Sequence, residues 1–416
     1  MNYDAVIIGA GLAGLRCALK LYQSGISFLL IEKSDSIGGR VKTDFLNGYT
    51  LDRGFQALFT AYPEAQSILD YHSLNLKEFY PGAIVRFDDE FHHLSDPWRK
   101  PIESMKSLFN PIGSVSDKIK IGLLRQKINN KSLKSIFSAH DKETIQYLRE
   151  AGFSEQIISR FFTPLLGGIF CDNSLSTSSI MFEFIFSMMS LGSNALPSQG
   201  MQAIPDQIYN RLPYESVLLN TPVSQVTSHS AIFPTGEQIN ARAVIVATDG
   251  PSATELIGGF EVPKYKGASC IYFSADNCPA ISNALVLNGS GKGPINHLCV
   301  PSNVSESYAP PGKSLISTTV LGTESFNNTN LLNLVRNQLT EWFGQMALEW
   351  THLQTYNIPH VQPKQAPPLS RSIGGTRFLS NGILICGDHR ENGSIQGALT
   401  SGRIAGELTI NMLNSQ

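Results

Sequence analysis

Apolar residues in the first part of the chain follow two different periods. Residues 3–8 form a short apolar run, and residues 26–31 form a second one, which is the pattern of buried strands. Between these runs, apolar residues recur at the 3-4-3 spacing of a helix with one buried face, at Leu12, Leu15, Leu19 and Tyr22. The order strand, helix, strand predicts one βαβ unit at the N-terminus.

The pattern changes in the middle of the chain. Residues 61–197 have a largely helical pattern, with candidate helices at 118–124, 142–149, 155–162 and 179–190. Residues 251–364 contain strand-like runs followed by a helix, at 268–275, 283–287, 296–300, 314–321 and 330–348. A sheet covered by helices is the structure that this order favours.

The turn after the first strand is a Gly-x-Gly-x-x-Gly sequence. Gly9 permits the tight turn, Gly11 lets the backbone approach a pyrophosphate, and Gly14 lets the helix pack close to the strand. At Leu12 and Ala13 the helix N-terminus presents unpaired N–H groups and its positive dipole end. The turn therefore predicts a phosphate-binding site.

An acidic residue ends the second strand. Glu32, followed by Lys33, lies where a carboxylate can accept hydrogen bonds from both hydroxyls of an adenosine ribose. Strand, glycine turn, amphipathic helix, strand and acid together predict a dinucleotide-binding unit.

The C-terminal segment repeats this logic. The apolar run 383–386 leads into Gly387 and Asp388, whose carboxylate can accept a hydrogen bond from a ribityl hydroxyl. Ser394 is a good N-cap, and the helix that it opens, through Ile395 and Gln396, would direct its N-terminus at the N1–C2 edge of a flavin. Small residues recur every four positions along this helix and predict a face for close packing, at Ala398, Gly402 and Gly406. A site assembled from both chain ends predicts bound FAD.

The segment after Glu32 resembles a known family. Glu32 followed after five residues by Gly38-Gly39-Arg40 is similar to the superfamily of amine oxidases, protoporphyrinogen oxidases and carotene desaturases such as phytoene desaturase. The resemblance implies that Gly38, Gly39 and Arg40 wrap the pyrophosphate, with Arg40 donating to phosphate oxygens. It also implies that a further segment passes beside the flavin ring, Asp52, Arg53 and Gly54.

The same resemblance extends along the chain. Residues 160–170 with 175–176 look like a substrate-domain signature of protoporphyrinogen oxidases and their relatives, and Gly200-Met201 resembles a Gly-Gly-Met motif with Gln199 in place of the first glycine. Residues 220–226 resemble the strand in which the backbone of Val223 contacts adenine. Two further stretches are similar to family strands, residues 242–248 and the segment bracketed by Trp350 and Pro359.

These features predict an α/β chain in which two domains interleave. A Rossmann-like FAD-binding domain of the GR2 flavoprotein type is expected from residues 1–60, 198–250 and 365–416. An α+β substrate-binding domain is expected from residues 61–197 and 251–364.

Composition and cysteine spacing limit the partners and ligands that we expect for this protein. Charged residues make up 16% of the 416 residues and the formal net charge is −2, which gives no reason to expect a nucleic-acid partner. The six cysteines, including Cys278, show no CxxC or metal-ligand spacing, so we expect reduced thiols in a cytoplasmic protein. We also expect no metal at His92-His93 and no phosphate loop at residues 289–293. No cysteine lies between Gly387 and Gly402, so we expect FAD to be non-covalent.

No residue stands out as a general base. Lysines of the predicted substrate domain are expected to be exposed, namely Lys264, Lys266 and Lys292. Two weak catalytic candidates remain. Arg53 could hold an acidic substrate group or form a structural ion pair, and His389 could face the flavin or simply pack.

One segment bears on the substrate. Residues 180–189 are rich in Phe and Met, which suits an adaptable apolar cavity lined by residues such as Phe184 and Phe186. The alternatives are an ordinary buried helix and a peripheral contact with a membrane. The two functional readings favour a small hydrophobic substrate such as an isoprenoid, polyene or tetrapyrrole.

Several functions then stay open. The first is an FAD-dependent oxidase, dehydrogenase or desaturase that moves hydride from a C–H bond to flavin N5, with O2 or a quinone as electron acceptor. The alternatives are a carotenoid-type isomerase without net redox change, an amine oxidase, and a non-catalytic prenyl-lipid-binding protein of the GDP-dissociation-inhibitor type.

Overall fold

The computed structural model describes residues 2–258, 263–276, 281–322, 328–369 and 374–415. The strands are β1 (Asn2–Ile8), β2 (Phe28–Ile31), β3 (Thr43–Leu46), β4 (Tyr49–Asp52), β5 (Leu58–Phe59), β6 (Leu76–Glu78), β7 (Gly82–Phe87), β8 (Glu90–Ser95), β9 (Asn194–Pro197), β10 (Val217–Leu218), β11 (Gln225–Val226), β12 (Ser230–Ile232), β13 (Gln238–Val246), β14 (Tyr265–Ala275), β15 (Leu285–Asn288), β16 (Ile295–Cys299), β17 (Ser314–Leu321), β18 (Thr351–Pro363), β19 (Arg377–Phe378) and β20 (Leu384–Ile385).

Helices connect these strands and cover them. The helices are α1 (Leu12–Gln23), α2 (Pro63–Ile68), α3 (Pro101–Ser107), α4 (Val115–Asn129), α5 (Leu133–Phe137), α6 (Thr144–Glu150), α7 (Glu155–Ile157), α8 (Thr163–Phe170), α9 (Ser179–Leu191), α10 (Ala203–Tyr209), α11 (Gly250–Ile257), α12 (Pro301–Val304), α13 (Asn328–Phe343) and α14 (Ile395–Asn414). A π-helical turn at Ile158–Phe162 joins α7 to α8. None of the helices in the described ranges combines the length and the apolar character needed to cross a bilayer.

The first sheet brings the two chain ends together. Its strands run in the order β10-β2-β1-β13-β12-β11, and β20 pairs with β13. The strands β10, β2, β1, β13 and β20 are parallel, with Ile8 opposite Val246 and Val246 opposite Ile385. Successive residues of β1 enter different hydrophobic clusters, Ile7 on one face and Ile8 on the other, so the sheet is covered on both sides. This is the mixed α/β, Rossmann-like fold predicted for the nucleotide-binding part.

Helices α1 and α14 pack against each other through the small residues predicted for this purpose. A Cβ atom added to Gly402 would lie 2.2 Å from the carbonyl oxygen of Ala13, and one added to Gly406 would lie 2.7 Å from Lys20 Cβ. The absence of side chains at these positions lets the two backbones meet, because a larger residue would push the helices apart. The N-termini of both helices therefore belong to one region of the molecule.

The second sheet has seven strands in the order β18-β14-β17-β16-β15-β7-β8. It is antiparallel except between β7 and β15, so two strands from the mainly helical part of the chain complete it. The strand near the predicted Trp–Pro bracket runs past Pro359 to Pro363, with a register shift in that stretch. Helix α8 contacts strands β15, β16 and β17 of this sheet. The boundaries of the two domains stay a prediction.

Candidate active site

The phosphate-binding turn is formed by backbone alone. Gly11 precedes α1 in an extended conformation and no side chain caps the helix, so its first N–H groups are open. Gly38 and Gly39 lie against this turn: Gly38 forms a β-bridge with Gly11 and donates its N–H to the Ala10 carbonyl at 2.8 Å. A Cβ atom on Gly39 would lie 3.2 Å from Gly11 Cα. Two glycine segments thus form one smooth cradle at a helix N-terminus, as anion binding requires.

Gly14 has a different role from the other glycines of the turn. A Cβ atom at this position would lie only 1.9 Å from the Gly9 carbonyl oxygen. Gly14 therefore lets α1 pack on the end of β1, while Gly9, with φ of +103°, makes the turn itself. Gly14 does not line the cavity described below.

Glu32 lies at the end of β2 in the position predicted for ribose binding. Its carboxylate accepts the backbone N–H of Ala10 at 2.8 Å and that of Ser34 at 2.9 Å. The Ser34 hydroxyl also donates to Oε1, and these bonds together fix the carboxylate. Both lone pairs of Oε1 are therefore used, whereas Oε2 keeps one for a ligand hydroxyl. Lys33 follows it as an exposed residue that also lines the cavity.

One cavity of about 820 Å3 joins the predicted elements. Most of the predicted cofactor-binding residues line it: Gly9, Gly11, Leu12, Ala13, Glu32, Lys33, Gly39, Arg40, Arg53, Gly54, Val223, Gly387, Asp388, Ser394 and Ile395. We call this section, together with α11 residues such as Ser252 and Glu255, the nucleotide part of the cavity.

Arg40 and Asp388 form an ion pair across the chain ends. Arg40 Nη2 lies 2.6 Å from Asp388 Oδ1, and Nη1 donates to the Val361 carbonyl oxygen at 2.7 Å. Burial works against the charge of Arg40, but the neighbouring Asp388 carboxylate outweighs it and raises the pKa of the guanidinium. Arg40 therefore stays cationic beside the glycine cradle, where phosphate oxygens would lie.

The three residues at positions 52–54 have different environments. Gly54 lines the cavity, and Arg53 also reaches it, but the guanidinium of Arg53 binds both carboxylate oxygens of Asp44, at 2.8 and 2.9 Å. Asp52 does not line the cavity: it is buried and accepts hydrogen bonds from Thr43 and Tyr308. Burial raises the pKa of Asp52 to about 6, although these hydrogen bonds oppose the shift. Of the two readings of Arg53, the geometry favours the structural ion pair.

The C-terminal helix begins as predicted. The hydroxyl of Ser394 accepts the N–H of Gly397 at 3.0 Å, which makes Ser394 the N-cap of α14. Gln396 departs from the prediction because its side chain turns away from the cavity and accepts the N–H of Glu64 at 2.9 Å. Ser394 and Ile395 are thus the residues of this turn that reach the cavity.

His389 is a poor catalytic candidate in this structure. It is 1% exposed, it does not line the cavity, and neither ring nitrogen has a partner among the described residues. Burial lowers the pKa of His389 to about 4, so the ring is neutral at physiological pH. Of the two interpretations of His389, the geometry favours the one in which the ring only packs in the protein interior.

Helices α8 and α9 provide the second section of the cavity, which we call its apolar part. On α9 the residues Met181, Ile185 and Met189 line the cavity at i, i+4 and i+8. The expectation that Phe184 and Phe186 line it is wrong, because these rings lie on other faces of the helix. Phe184 stacks on Tyr62 at 5.9 Å, and Tyr62 itself is a lining residue. Aromatic and aliphatic residues from other elements complete this section: Phe59, Tyr62, Leu165, Ile169, Phe170 and Leu285.

The remaining candidates lie away from the cavity. Lys264 and Lys292 are exposed as expected. The expectation is wrong for Lys266, which is partly buried and paired with Asp172 at 2.6 Å. Residues 289–293 form the connection between the antiparallel strands β15 and β16. His92 and His93 are consecutive residues of β8, and the described residues contain no group of three potential metal ligands.

The described cysteines are free thiols, and Cys278 lies outside the described residues.

Sequence reasoning missed the polar residues of the cavity wall. Each has a buried side-chain atom without a hydrogen-bond partner among the described residues: Asn194, His297, Thr319 and Gln362. The strands that carry His297 and Thr319 are predicted from apolar runs alone, and such a pattern does not tell which polar residue faces a ligand. The strand residues Asn194 and Gln362 lie outside the predicted strands. An orphaned polar atom is visible only after the strands are paired.

The chain matches the family model described as flavin containing amine oxidoreductase over residues 12–408. The chain belongs to this family. The flavoenzyme is an FAD-dependent oxidoreductase, as predicted from the paired chain ends.

Individual relatives are distant. The flavoenzyme is 25% identical to protoporphyrinogen oxidase 2 of Arabidopsis thaliana over 39% of its own length and 31% of that protein, and 38% identical to a 4,4'-diapolycopene oxygenase of Methylomonas sp. over 20% of each. It thus spans less than a third of these relatives' lengths. An oxidoreductase from Methanosarcina mazei has the same fold, with a TM-score of 0.72 at 18% identity over 98% of this chain and all of that one.

The residues present fit FAD. The uncapped start of α1 lies at the cavity beside Gly11 and Gly39, and two backbone N–H groups hold Glu32 at the position predicted for the ribose. At the other chain end, the Gln362 amide donates to the Gly393 carbonyl at 2.6 Å while its oxygen has no partner among the described residues. An orphaned buried acceptor next to the start of α14 suits a cofactor that brings its own donor.

Proposed function

We propose that this flavoenzyme oxidises an apolar substrate by removing hydride from a C–H bond. The observation that carries the proposal is the apolar part of the cavity, which is lined by Met181, Ile185 and Met189 of α9 and by Leu165 and Ile169 of α8. A hydrophobic molecule would gain about 25 cal/mol for each Å2 of apolar surface that it buries there.

The charges of the cavity support the same choice. Its four acidic lining residues all lie in the nucleotide part: Glu32, Asp249, Glu255 and Asp388. Among the described residues, the apolar part therefore offers no carboxylate to a cationic amine. Burying an ammonium group without such a partner is costly. An isoprenoid, polyene or tetrapyrrole-like compound fits these walls better than a small amine.

Bound FAD supplies the hydride acceptor for this chemistry. The chain's own part is to hold the dinucleotide with the cradle at Gly11 and Gly39, to anchor the ribose at Glu32, and to keep water from the substrate with α8 and α9. The chain has one dinucleotide-binding motif, which FAD takes, so we propose O2 or a quinone rather than NAD(P)H as electron acceptor. We further propose that FAD is bound without a covalent link.

Anaerobic reduction of the flavin tests the proposal without knowledge of the oxidant. The purified holoenzyme is mixed under argon with polyenes, porphyrinogens and quinols as one set, and with primary amines and polyamines as the other. We expect a member of the first set to bleach the flavin absorbance and the amines to leave it unchanged. Rapid bleaching by a small amine would identify an amine oxidase instead. Product formation without bleaching would identify an isomerase.

A further inference from the structure

Three residues form a row across the second sheet on the wall of the cavity. Cys270 of β14 pairs with Thr319 of β17, and Thr319 pairs with His297 of β16. All three line the cavity. Side chains of directly paired residues lie on the same face of a sheet with Cβ atoms about 5 Å apart. Thr319 and His297 are therefore close enough to contact one small group of a ligand together.

Two polar atoms of this row are left without partners. Thr319 Oγ1 and His297 Nε2 are both buried, and neither makes a hydrogen bond to any described residue. His297 is 2% exposed and Thr319 is 6% exposed. Buried polar groups are nearly always paired, and an unpaired one destabilises the fold. Two unpaired groups on adjacent strands of one cavity wall thus call for a ligand that pairs them.

The other ring nitrogen of His297 has its hydrogen bond already. The Asn296 amide nitrogen donates to the Pro164 carbonyl at 2.9 Å, which fixes the orientation of that amide because a carbonyl can only accept. The same nitrogen lies 3.1 Å from His297 Nδ1. Nδ1 is therefore an acceptor, and the proton of the neutral ring is on Nε2.

The helix motif at residues 160–170 positions this ring. A Cβ atom on Gly168 would lie 2.7 Å from His297 Nδ1, so only glycine lets α8 approach the histidine so closely. Phe55 contacts the other side of the ring, with a centroid distance of 4.9 Å. The histidine is thus held by packing and by Asn296, and it presents an N–H donor with nothing to accept it.

The surroundings of the row select an uncharged ligand group. Burial lowers the pKa of His297 to about 4, and no charged side chain among the described residues contributes to that shift. A neutral ring and a hydroxyl form a weak site for a carboxylate but a good one for a neutral oxygen. Both groups can donate, and a carbonyl oxygen accepts two hydrogen bonds.

We propose that His297 and Thr319 together bind a carbonyl oxygen of the otherwise apolar substrate, as specificity-determining residues. The inference rests on the proposed function, and it adds that the substrate is a ketone, aldehyde or quinone-like molecule rather than a pure hydrocarbon. Phe55 and Leu285, both lining residues, would contact the apolar carbon frame around this oxygen.

Matched probes test the proposal by binding rather than by turnover. The oxidised holoenzyme is titrated with acetylnaphthalene and with ethylnaphthalene, which differ by one carbonyl, and in detergent with canthaxanthin and with β-carotene. The change in flavin absorbance reports binding. We expect the wild-type protein to prefer the carbonyl member of at least one pair by about fivefold or more, the value of one net hydrogen bond.

Three variants assign this preference to the row. Thr319→Val and His297→Phe should each remove most of it while leaving hydrocarbon binding unchanged, and Thr319→Ser should restore it. Ser269→Ala is the matched control, because Ser269 also lines the cavity but its hydroxyl already donates to Asn357 at 2.7 Å. Flavin content confirms that each variant is folded, and if His297→Phe does not fold, the Thr319 variants decide.

The contrary outcomes are distinct. The proposal is overturned if the wild-type protein prefers the carbonyl compound in neither pair, or binds none of the compounds. It is also overturned if the preference survives in both Thr319→Val and His297→Phe. Failure of the proposed function appears elsewhere, as bleaching of the flavin by small amines.

Discussion

The two parts of the cavity are made in different ways. The nucleotide part is formed mainly by backbone from short contiguous segments, such as Gly9 to Ala13 and Gly38 to Arg40. The apolar part is formed by residues from elements far apart in the chain, including β5, α8, α9 and β15. A backbone cradle accepts a ligand that is common to many proteins, whereas a wall of side chains can change with the substrate.

The difference predicts how each part tolerates change. In the nucleotide part, a single added carbon can block the approach of backbone to backbone. In the apolar part, a substitution changes shape and polarity while the scaffold remains. Of the variants below, Glu32→Ala changes the nucleotide part and Ile185→Phe the apolar part, while Gly14→Ala and His389→Leu change the packing beside the cavity.

The largest effect is expected at Gly14. Gly14→Ala would place a Cβ atom 1.9 Å from the Gly9 carbonyl oxygen, so α1 must move away from β1. We expect a loss of about 3 kcal/mol or more in stability and little retained FAD. Thermal unfolding and flavin content measure this. Gly25→Ala is the control, since nothing lies within 4 Å of its added carbon and only its φ of +71° is unfavourable, at about 1 kcal/mol.

The next effect concerns Glu32. Glu32→Ala removes the carboxylate predicted to bind the ribose and should weaken FAD binding by about 1.5–3 kcal/mol. Titration of apoprotein with FAD measures the change. Asp35→Ala, an exposed carboxylate in the same loop, should leave the affinity as it is. Equal affinities for the wild-type and Glu32→Ala proteins would show that Glu32 does not bind the cofactor.

A smaller effect follows from His389. Its pKa of about 4 in the folded protein lies below that of an unfolded histidine, so its contribution to stability is present above about pH 6.5 and is lost as the pH falls towards 4. His297 acts in the same direction. Asp52, with its pKa raised to about 6, acts in the opposite one.

The variant His389→Leu isolates this contribution. The free energy of unfolding is measured with urea at several pH values between about 4.5 and 6. Its slope against pH should be smaller in His389→Leu than in the wild-type protein, by about 1 kcal/mol per pH unit. His229→Leu, at an exposed position, is the control for replacing a histidine by leucine where the ring is not buried. An unchanged slope for His389→Leu would mean that the ring is protonated in the folded protein.

The same contrast explains what could be predicted from the sequence. The helix predicted at 179–190 and the strand predicted at 314–321 are confirmed, because their hydrophobic patterns are local. The turn at Gly11 and the helix cap at Ser394 could be predicted because a glycine turn and a helix cap are fixed by neighbouring residues.

The apolar part could not be predicted to the same depth. All the large residues of α9 suit burial, so the sequence does not tell that Ile185 faces the cavity and that Phe184 faces Tyr62. His297 becomes a site residue only when β16 pairs with β17 and α8 packs over it. Such residues depend on pairings between distant segments, for which one sequence gives no signal.

The rate of flavin reduction in two variants of α9 tests most directly whether the apolar part seats the substrate. Ile185→Phe adds volume to the cavity wall, whereas Phe182→Leu changes volume on another face, where Phe182 packs on Tyr147 and Phe162. With the compound that bleaches the wild-type protein, anaerobic mixing should show Ile185→Phe slowed by at least about tenfold, or ~1.4 kcal/mol, at unchanged FAD content. Phe182→Leu should stay within about twofold. Full-speed reduction in Ile185→Phe together with slow reduction in Phe182→Leu would contradict the account.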